Sequence, residues 1–224
     1  MERKRGASVL HLGCGTGRLW SENAKGIPKS WAIIIADRSR DAVVAAFKAM
    51  TDQDIRVSGL ILDPEYIACE NASFDIVVAT HVFRQVRDVR SALKDIRRVM
   101  RPRARLYAAC RTGQRGSHLA RILHDHAPKL AAAIVAKENA FCQENAKDLL
   151  LTEFGNVIAH LYPDELVFTS GDDVIQYLVA SYATAETYWD ANIRSGIVSD
   201  IDETIVDSGP LRIPNSCTLF VARY

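Results

Sequence analysis

Gly13, Gly15 and Gly17 follow an apolar run in the stretch VLHLGCGTGRLW, residues 9 to 20. Glycine tolerates φ > 0 and carries no Cβ, so such a turn lets a ligand lie directly against the backbone. A dinucleotide fingerprint would put its third glycine at position 18, where this chain has Arg18. The G-x-G-x-G form makes the same tight turn without requiring that a pyrophosphate sit on the following helix. It suits a nucleoside that carries an amino-acid tail across the turn. Asp37 stands 22 residues beyond Gly15, at the close of the next strand-like run. A carboxylate there can accept hydrogen bonds from two ribose hydroxyls. The plainer alternative is a strand-to-helix turn of a ligand-free domain.

Other residues could do chemistry, each with a plainer reading beside it. His81 follows a buried run, and an imidazole titrating near neutrality could take a proton from a hydroxyl or amine; it could equally be an inert wall residue. His11 sits inside the first apolar run, as a ligand contact or as a core histidine bonded to its surroundings. HDH at 124–126 resembles a metal pair, but side chains two apart on a helix diverge, so solvent-exposed polarity is the better reading. Tyr66, Phe83 and Trp20 could line an apolar pocket or simply belong to the core. From Arg84 to Arg115 there are ten Arg and one Lys against two Asp. That run could meet RNA phosphates or an anionic substrate, but it lacks interleaved aromatics. A solvated face is favoured. Residues 186–207 are the acidic counterpart, six acids against Arg194.

Strand-like and helical patterns alternate to position these groups. SVLHL (8–12), WAIII (31–35), VSGLIL (57–62), FDIVVA (74–79) and ARLYAAC (104–110) read as buried strands. The helix after Asp37 has Ser39 as N-cap, and DVRSALKDIRRVM (88–100) is capped by Asp88 and stopped by Pro102. Strands alternating with helices imply parallel pairing by right-handed crossovers, hence a doubly wound α/β sheet. After Thr112 the rhythm turns helical to about residue 154. A run at 155–168 returns to strand, broken at Pro163, then a helix spans 172–182 and a last strand 217–223. One domain is expected over 1–224: a cofactor-binding core at 1–112, a helical insertion at 113–154, and completing strands and helices at 155–224.

VLHLGCGTG, IIIADRS, LILDPEYIACENASFDIVVATHVF and IRRVMRPRARLYAA together resemble the class I S-adenosylmethionine-dependent methyltransferases. The remaining chain resembles a bacterial subgroup that acts on small molecules. The resemblance implies a seven-stranded Rossmann-like sheet with an antiparallel last strand and a helical cap between strands five and six. It implies S-adenosylmethionine as cofactor, S-adenosylhomocysteine as product, and a small-molecule acceptor methylated on O, N or C. Carried over position by position, Gly13, Cys14, Gly15 and Gly17 approach the methionine moiety. Asp37, with Arg38 beside it, holds the ribose hydroxyls. Asp63 and Pro64 border the adenine, Thr80 lies beside the sulfonium end with His11 below the turn, and His81 is the catalytic candidate.

Four departures from the family pattern stand out. His11 replaces the usual acid; protonated, it would repel the cofactor's ammonium group. Pro64 lacks the N–H that commonly meets the adenine ring. RPRAR replaces a glycine-containing turn, which removes easy access to φ > 0. Little chain precedes the first strand, so an open pocket, or a second copy covering it as a homodimer, is expected. The rival functional readings are a degenerate relative without methyl transfer, and an RNA methyltransferase using the Arg84–Arg115 face.

Composition allows a full core, at 48% hydrophobic residues, and a net charge of +1 gives no global field toward nucleic acid or membrane; the five cysteines are scattered without a C-x-x-C pair. Neither a zinc site nor a disulfide framework is indicated. The longest apolar run, LAAAIVA at 130–136, is too short to span a bilayer, and no signal peptide is recognisable. A cytoplasmic protein without membrane or nucleic-acid partners is expected.

Overall fold

The computed structural model describes residues 6–182 and 185–223. Seven strands form one sheet: β1 (Ser8–Leu12), β2 (Ala32–Asp37), β3 (Val57–Ile61), β4 (Phe74–Thr80), β5 (Met100–Arg111), β6 (Asn156–Tyr162) and β9 (Cys217–Arg223), in the order β3-β2-β1-β4-β5-β9-β6. β1 to β5 pair in parallel, and β9 runs antiparallel. The expected sheet and its odd last strand are thus both present.

Local chemistry explains these elements. The central strands β1 and β4 are flanked on both sides, so their residues are almost all buried and read as continuous apolar runs. The helix α1 (Arg18–Ser21) starts from the glycine turn, with Gly17 at its N-cap. Helix α2 (Arg40–Thr51) is capped by the Ser39 side chain, which accepts from Ala42 N at 3.2 Å. Helix α3 (Val89–Val99) is capped by Asp88, which accepts from Ser91 N at 3.1 Å. Both caps fall where the sequence puts them.

At the α3–β5 junction the structure corrects the sequence. Met100 begins β5 rather than ending the helix, and Pro102 lies within the strand. The ladder slips there, pairing Phe74 with Met100 and Ile76 with Arg105. Arg103, inside the slip, takes φ 66° without the glycine such a backbone favours. Asp75, only 7% exposed, holds the irregular stretch by accepting from Arg101 Nη1 at 2.8 Å and from Ser8 N at 3.0 Å.

The chain divides into two compact units. The first comprises residues 1–110, 145–160 and 219–224, and holds most of the sheet and α6 (Ala146–Leu151). The second comprises 111–144 and 161–218. It contains α4 (Gln114–Leu123), α5 (Pro128–Asn139), α7 (Gly171–Ser181), the long α8 (Ala191–Ser208), and an antiparallel pair, β7 (Glu165–Phe168) with β8 (Leu211–Pro214). Its own apolar core includes Leu119, Leu130, Ile134, Val174, Leu178 and Ile197. Among the described residues no helix is long and apolar enough to cross a membrane.

Candidate functional site

The glycine turn sits at the C-terminal end of β1, within the first unit. All three glycines have positive φ: 68° at Gly13, 51° at Gly15 and 79° at Gly17. They are needed for different reasons. A Cβ at Gly13 would fall 2.8 Å from Val82 Cβ, and one at Gly17 would fall 2.9 Å from Ala46 Cα, so both permit close packing. A Cβ at Gly15 would meet nothing within 4 Å. Gly15 therefore borders open space, as a turn must if a ligand is to lie against it.

Asp37 links the turn to β2. Its Oδ2 accepts from Gly15 N at 3.1 Å, and its Oδ1 accepts from Ser39 N at 3.0 Å. A carboxylate oxygen has two lone pairs, so each retains an acceptor position for a hydroxyl. The role expected of Asp37 is thus geometrically open, and the carboxylate also shapes the glycine turn. Cys14 is buried, with its thiol near Gly15 O at 3.7 Å. Burial, aided by the Asp37 charge, pushes that thiol up to about 12, so it stays protonated and unreactive.

His11 answers to two partners. Trp20 Nε1 donates to its Nδ1 at 2.9 Å, and its Nε2 lies 3.2 Å from Thr80 Oγ1. The imidazole is 2% exposed, and the Trp20 ring meets it edge-on at 5.8 Å between centroids. Burial pulls its pKa down to about 4, against the opposing attraction of Asp37. At neutral pH it is an uncharged core histidine. The core reading that the sequence offered for His11 holds, but its partner is the Trp20 indole rather than backbone, a pairing that forms only once α1 has folded against β1.

Asp63 and Arg38 form the second half of the site. Arg38 Nη2 bridges Asp63 Oδ1 at 2.6 Å and Glu65 Oε2 at 2.9 Å, while its Nη1 donates to Gln85 O at 2.9 Å. The Arg38 guanidinium holds the Asp63 carboxyl below the usual carboxylate range. Asp63 Oδ1 also accepts from Glu65 N at 2.9 Å, leaving Oδ2 without a hydrogen-bond partner among the described residues. Glu65 escaped sequence analysis, yet its Oε1 accepts from Arg87 N and Asp88 N, each at 2.8 Å. The loops after β2, β3 and β4 are therefore fastened to one another. Pro64 is buried in the turn Asp63–Tyr66, which Tyr66 N closes on Asp63 O at 2.9 Å. Proline suits that second turn position because its φ is already set. It shapes the loop that carries Asp63.

Thr80 ends β4 and is half-buried. His81 follows at φ 59°, its N donating to Ala109 O at 2.8 Å. A bulky residue held in the left-handed region stores strain, of the kind that gathers at functional sites. Of the aromatic candidates, Trp20 and Phe83 are core and Tyr66 is 74% exposed. His126 Nε2 pairs with Asp200 Oδ2 at 2.7 Å, and among the described residues no cluster of three or more His, Cys, Asp or Glu could hold a metal. Several arginines of the basic run serve the fold: Arg98 pairs with Asp95, Arg101 with Asp75, and Arg115 with Glu138.

An α/β sheet with a glycine turn after its first strand and an acid closing its second is an arrangement of the Rossmann-like class. Comparison with known proteins makes this specific. Residues 9–103 match the model of a methyltransferase domain. Over its length the chain shares the fold of solved S-adenosylmethionine-dependent methyltransferases, one of them from Methanosarcina mazei at TM-score 0.60 and 15% identity, over 99% of this chain and 93% of that one. A candidate methyltransferase of Bacillus halodurans shares the fold at TM-score 0.70 and 13% identity, over 98% of this chain and 93% of that one. Phosphoethanolamine N-methyltransferase 2 of Haemonchus contortus, solved with phosphomonomethylethanolamine and S-adenosylhomocysteine, aligns at TM-score 0.60 and 15% identity, over 99% of this chain and 49% of its own. An uncharacterised 37.1 kDa protein in transposon TN4556 of Streptomyces fradiae is 32% identical over 106 residues, 47% of this chain. The matched region is 30% of that relative's length.

Proposed function

We propose that this protein transfers the methyl group of S-adenosylmethionine to an O, N or C nucleophile of a small molecule. The observation that carries the reading is Gly15, whose positive φ and open surroundings leave a cradle beside the Asp37 carboxylate. When bound, the cofactor supplies an electrophilic methyl carbon on a sulfonium. Asp37 would accept from the ribose hydroxyls, Asp63 Oδ2 would accept from the adenine amine, and the glycine turn would let the methionine portion approach the backbone. Neutral His11 places no competing cation beneath the turn. His81, at φ 59° just after β4, would take the proton that the acceptor's nucleophile gives up. Positioning and exclusion of water supply most of the rate.

Thermal-shift titration tests this reading. S-adenosylhomocysteine should raise the melting temperature as RT ln(1 + [L]/Kd) requires, and Asp37→Ala should abolish the rise. A melting temperature indifferent to both S-adenosylmethionine and S-adenosylhomocysteine would overturn it in favour of a relative that has lost the cofactor. The RNA alternative is weaker, because the arginines it needs are partly committed to ion pairs inside the fold.

A further inference from the structure

A chain of hydrogen bonds beneath the glycine turn has a direction fixed by chemistry. An indole N–H can only donate. Trp20 Nε1 donates to His11 Nδ1 at 2.9 Å, so Nδ1 carries no proton. A neutral imidazole has one N–H, which must then be on Nε2. His11 is neutral at physiological pH because it is buried. Nε2–H therefore donates to Thr80 Oγ1 at 3.2 Å, and the Thr80 hydroxyl is the acceptor. Its own proton has to point elsewhere. The Thr80 hydroxyl makes no other hydrogen bond among the described residues, and it lies half-buried at the end of β4, which pairs with β1. A donor is thus aimed away from His11 with no acceptor among the described residues to receive it.

We infer that the end of β4 recognises the carboxylate of the cofactor's amino-acid tail through the Thr80 hydroxyl, and that Trp20 and His11 are positioning residues that fix the hydroxyl's polarity. The inference rests on the proposed cofactor reading and deepens it. An acid at position 11 would give the opposite result. It would accept the Thr80 proton, and it would attract the ammonium. The histidine thus exchanges an ammonium-reading floor for a carboxylate-reading one, without adding a charge to the core.

Calorimetry with three probes tests the inference: S-adenosylhomocysteine, its decarboxylated analogue, and 5′-methylthioadenosine, which has no tail. The wild type should bind S-adenosylhomocysteine about ten- to a hundredfold more tightly than the decarboxylated analogue, which is what one hydrogen bond to a charged group is worth. Thr80→Val should bring that ratio close to one and leave 5′-methylthioadenosine binding unchanged. His11→Asp should turn the hydroxyl around and favour the decarboxylated analogue. If the buried acid prevents folding, Thr80→Val decides alone. S-adenosylhomocysteine binding that ignores the carboxylate, or a ratio that survives Thr80→Val, overturns this inference and leaves the functional reading standing. Absence of any S-adenosylhomocysteine binding overturns both.

Discussion

In the first unit, Asp37 gives each carboxylate oxygen to one backbone N–H and keeps room for more, and Thr80 has a donor with no acceptor among the described residues. In the second unit the polar groups close on one another. Arg115 Nη2 donates to Glu138 Oε2 at 2.5 Å, Arg115 Nη1 reaches Tyr177 Oη at 3.0 Å, and Tyr182 Oη donates to Glu138 Oε1 at 2.9 Å. Arg115 and Glu138 are 4% and 5% exposed. Only Arg115 Nε is left buried without a partner in that cluster. Both units bury polar side chains, but Glu138 is 5% exposed whereas Asp37 and Thr80 are only half-buried. Unused acceptors and donors beside open space are the better sign of a ligand site.

The largest effect should come from breaking the closed network. Glu138→Gln leaves the Arg115 charge buried without its counter-ion, and should cost about 3–5 kcal/mol in chemical denaturation. Calorimetric affinity of the folded fraction for S-adenosylhomocysteine should not change. A folded variant that loses cofactor affinity would erase the distinction between the units.

The next effect belongs to His11. Its folded pKa of about 4 lies below the unfolded value near 6.5. The unfolded chain therefore takes up a proton in a range where the folded chain does not. The associated stability is complete above pH 6.5, declines as pH falls, and is gone by about pH 4, amounting to about 3 kcal/mol. Denaturation curves across that window, with His11→Asn as reference, should show the difference. A variant with the same pH profile as the wild type would make His11 irrelevant to acid stability.

Asp37→Ala should weaken S-adenosylhomocysteine binding by roughly 1.5–3 kcal/mol, the value of hydrogen bonds to a charged group. Unchanged affinity by calorimetry would remove Asp37 from the site. The smallest effect is at Arg103, exposed and at φ 66°. Arg103→Gly should stabilise the fold by about 0.5–1 kcal/mol, since relief of the left-handed backbone exceeds glycine's own entropic cost. A melting temperature that falls would mean the arginine side chain matters more than its backbone.

How far the sequence carries depends on range. Ser39 and Asp88 were readable as caps because a cap is a contact over three residues. The parallel strands were readable because burial on both faces writes itself as continuous apolar runs. Met100 was ambiguous, being apolar and at helical spacing while also opening a buried strand. Helix α8 read only as an acidic stretch, since few of its residues are buried and its apolar stripe is weak. The short β7–β8 pair depends on partners 47 residues apart, as in Glu165 with Arg212, which no local pattern announces. In the site, the glycines and Asp37 were legible by spacing. Glu65 and the Trp20–His11–Thr80 chain were not, because their meaning lies in which atoms meet after the chain has folded.

The indole of Trp20 has an optical consequence. It is 2% exposed, and its N–H is bonded to the imidazole that governs Thr80. A buried indole emits at short wavelength, and an imidazolium quenches it where a neutral imidazole does not. The difference between wild-type and Trp20→Phe emission spectra therefore isolates this one chromophore from the other two tryptophans. It reads the protonation of His11 directly as acid is added, and registers a ligand that engages the Thr80 hydroxyl, with no label attached to the protein.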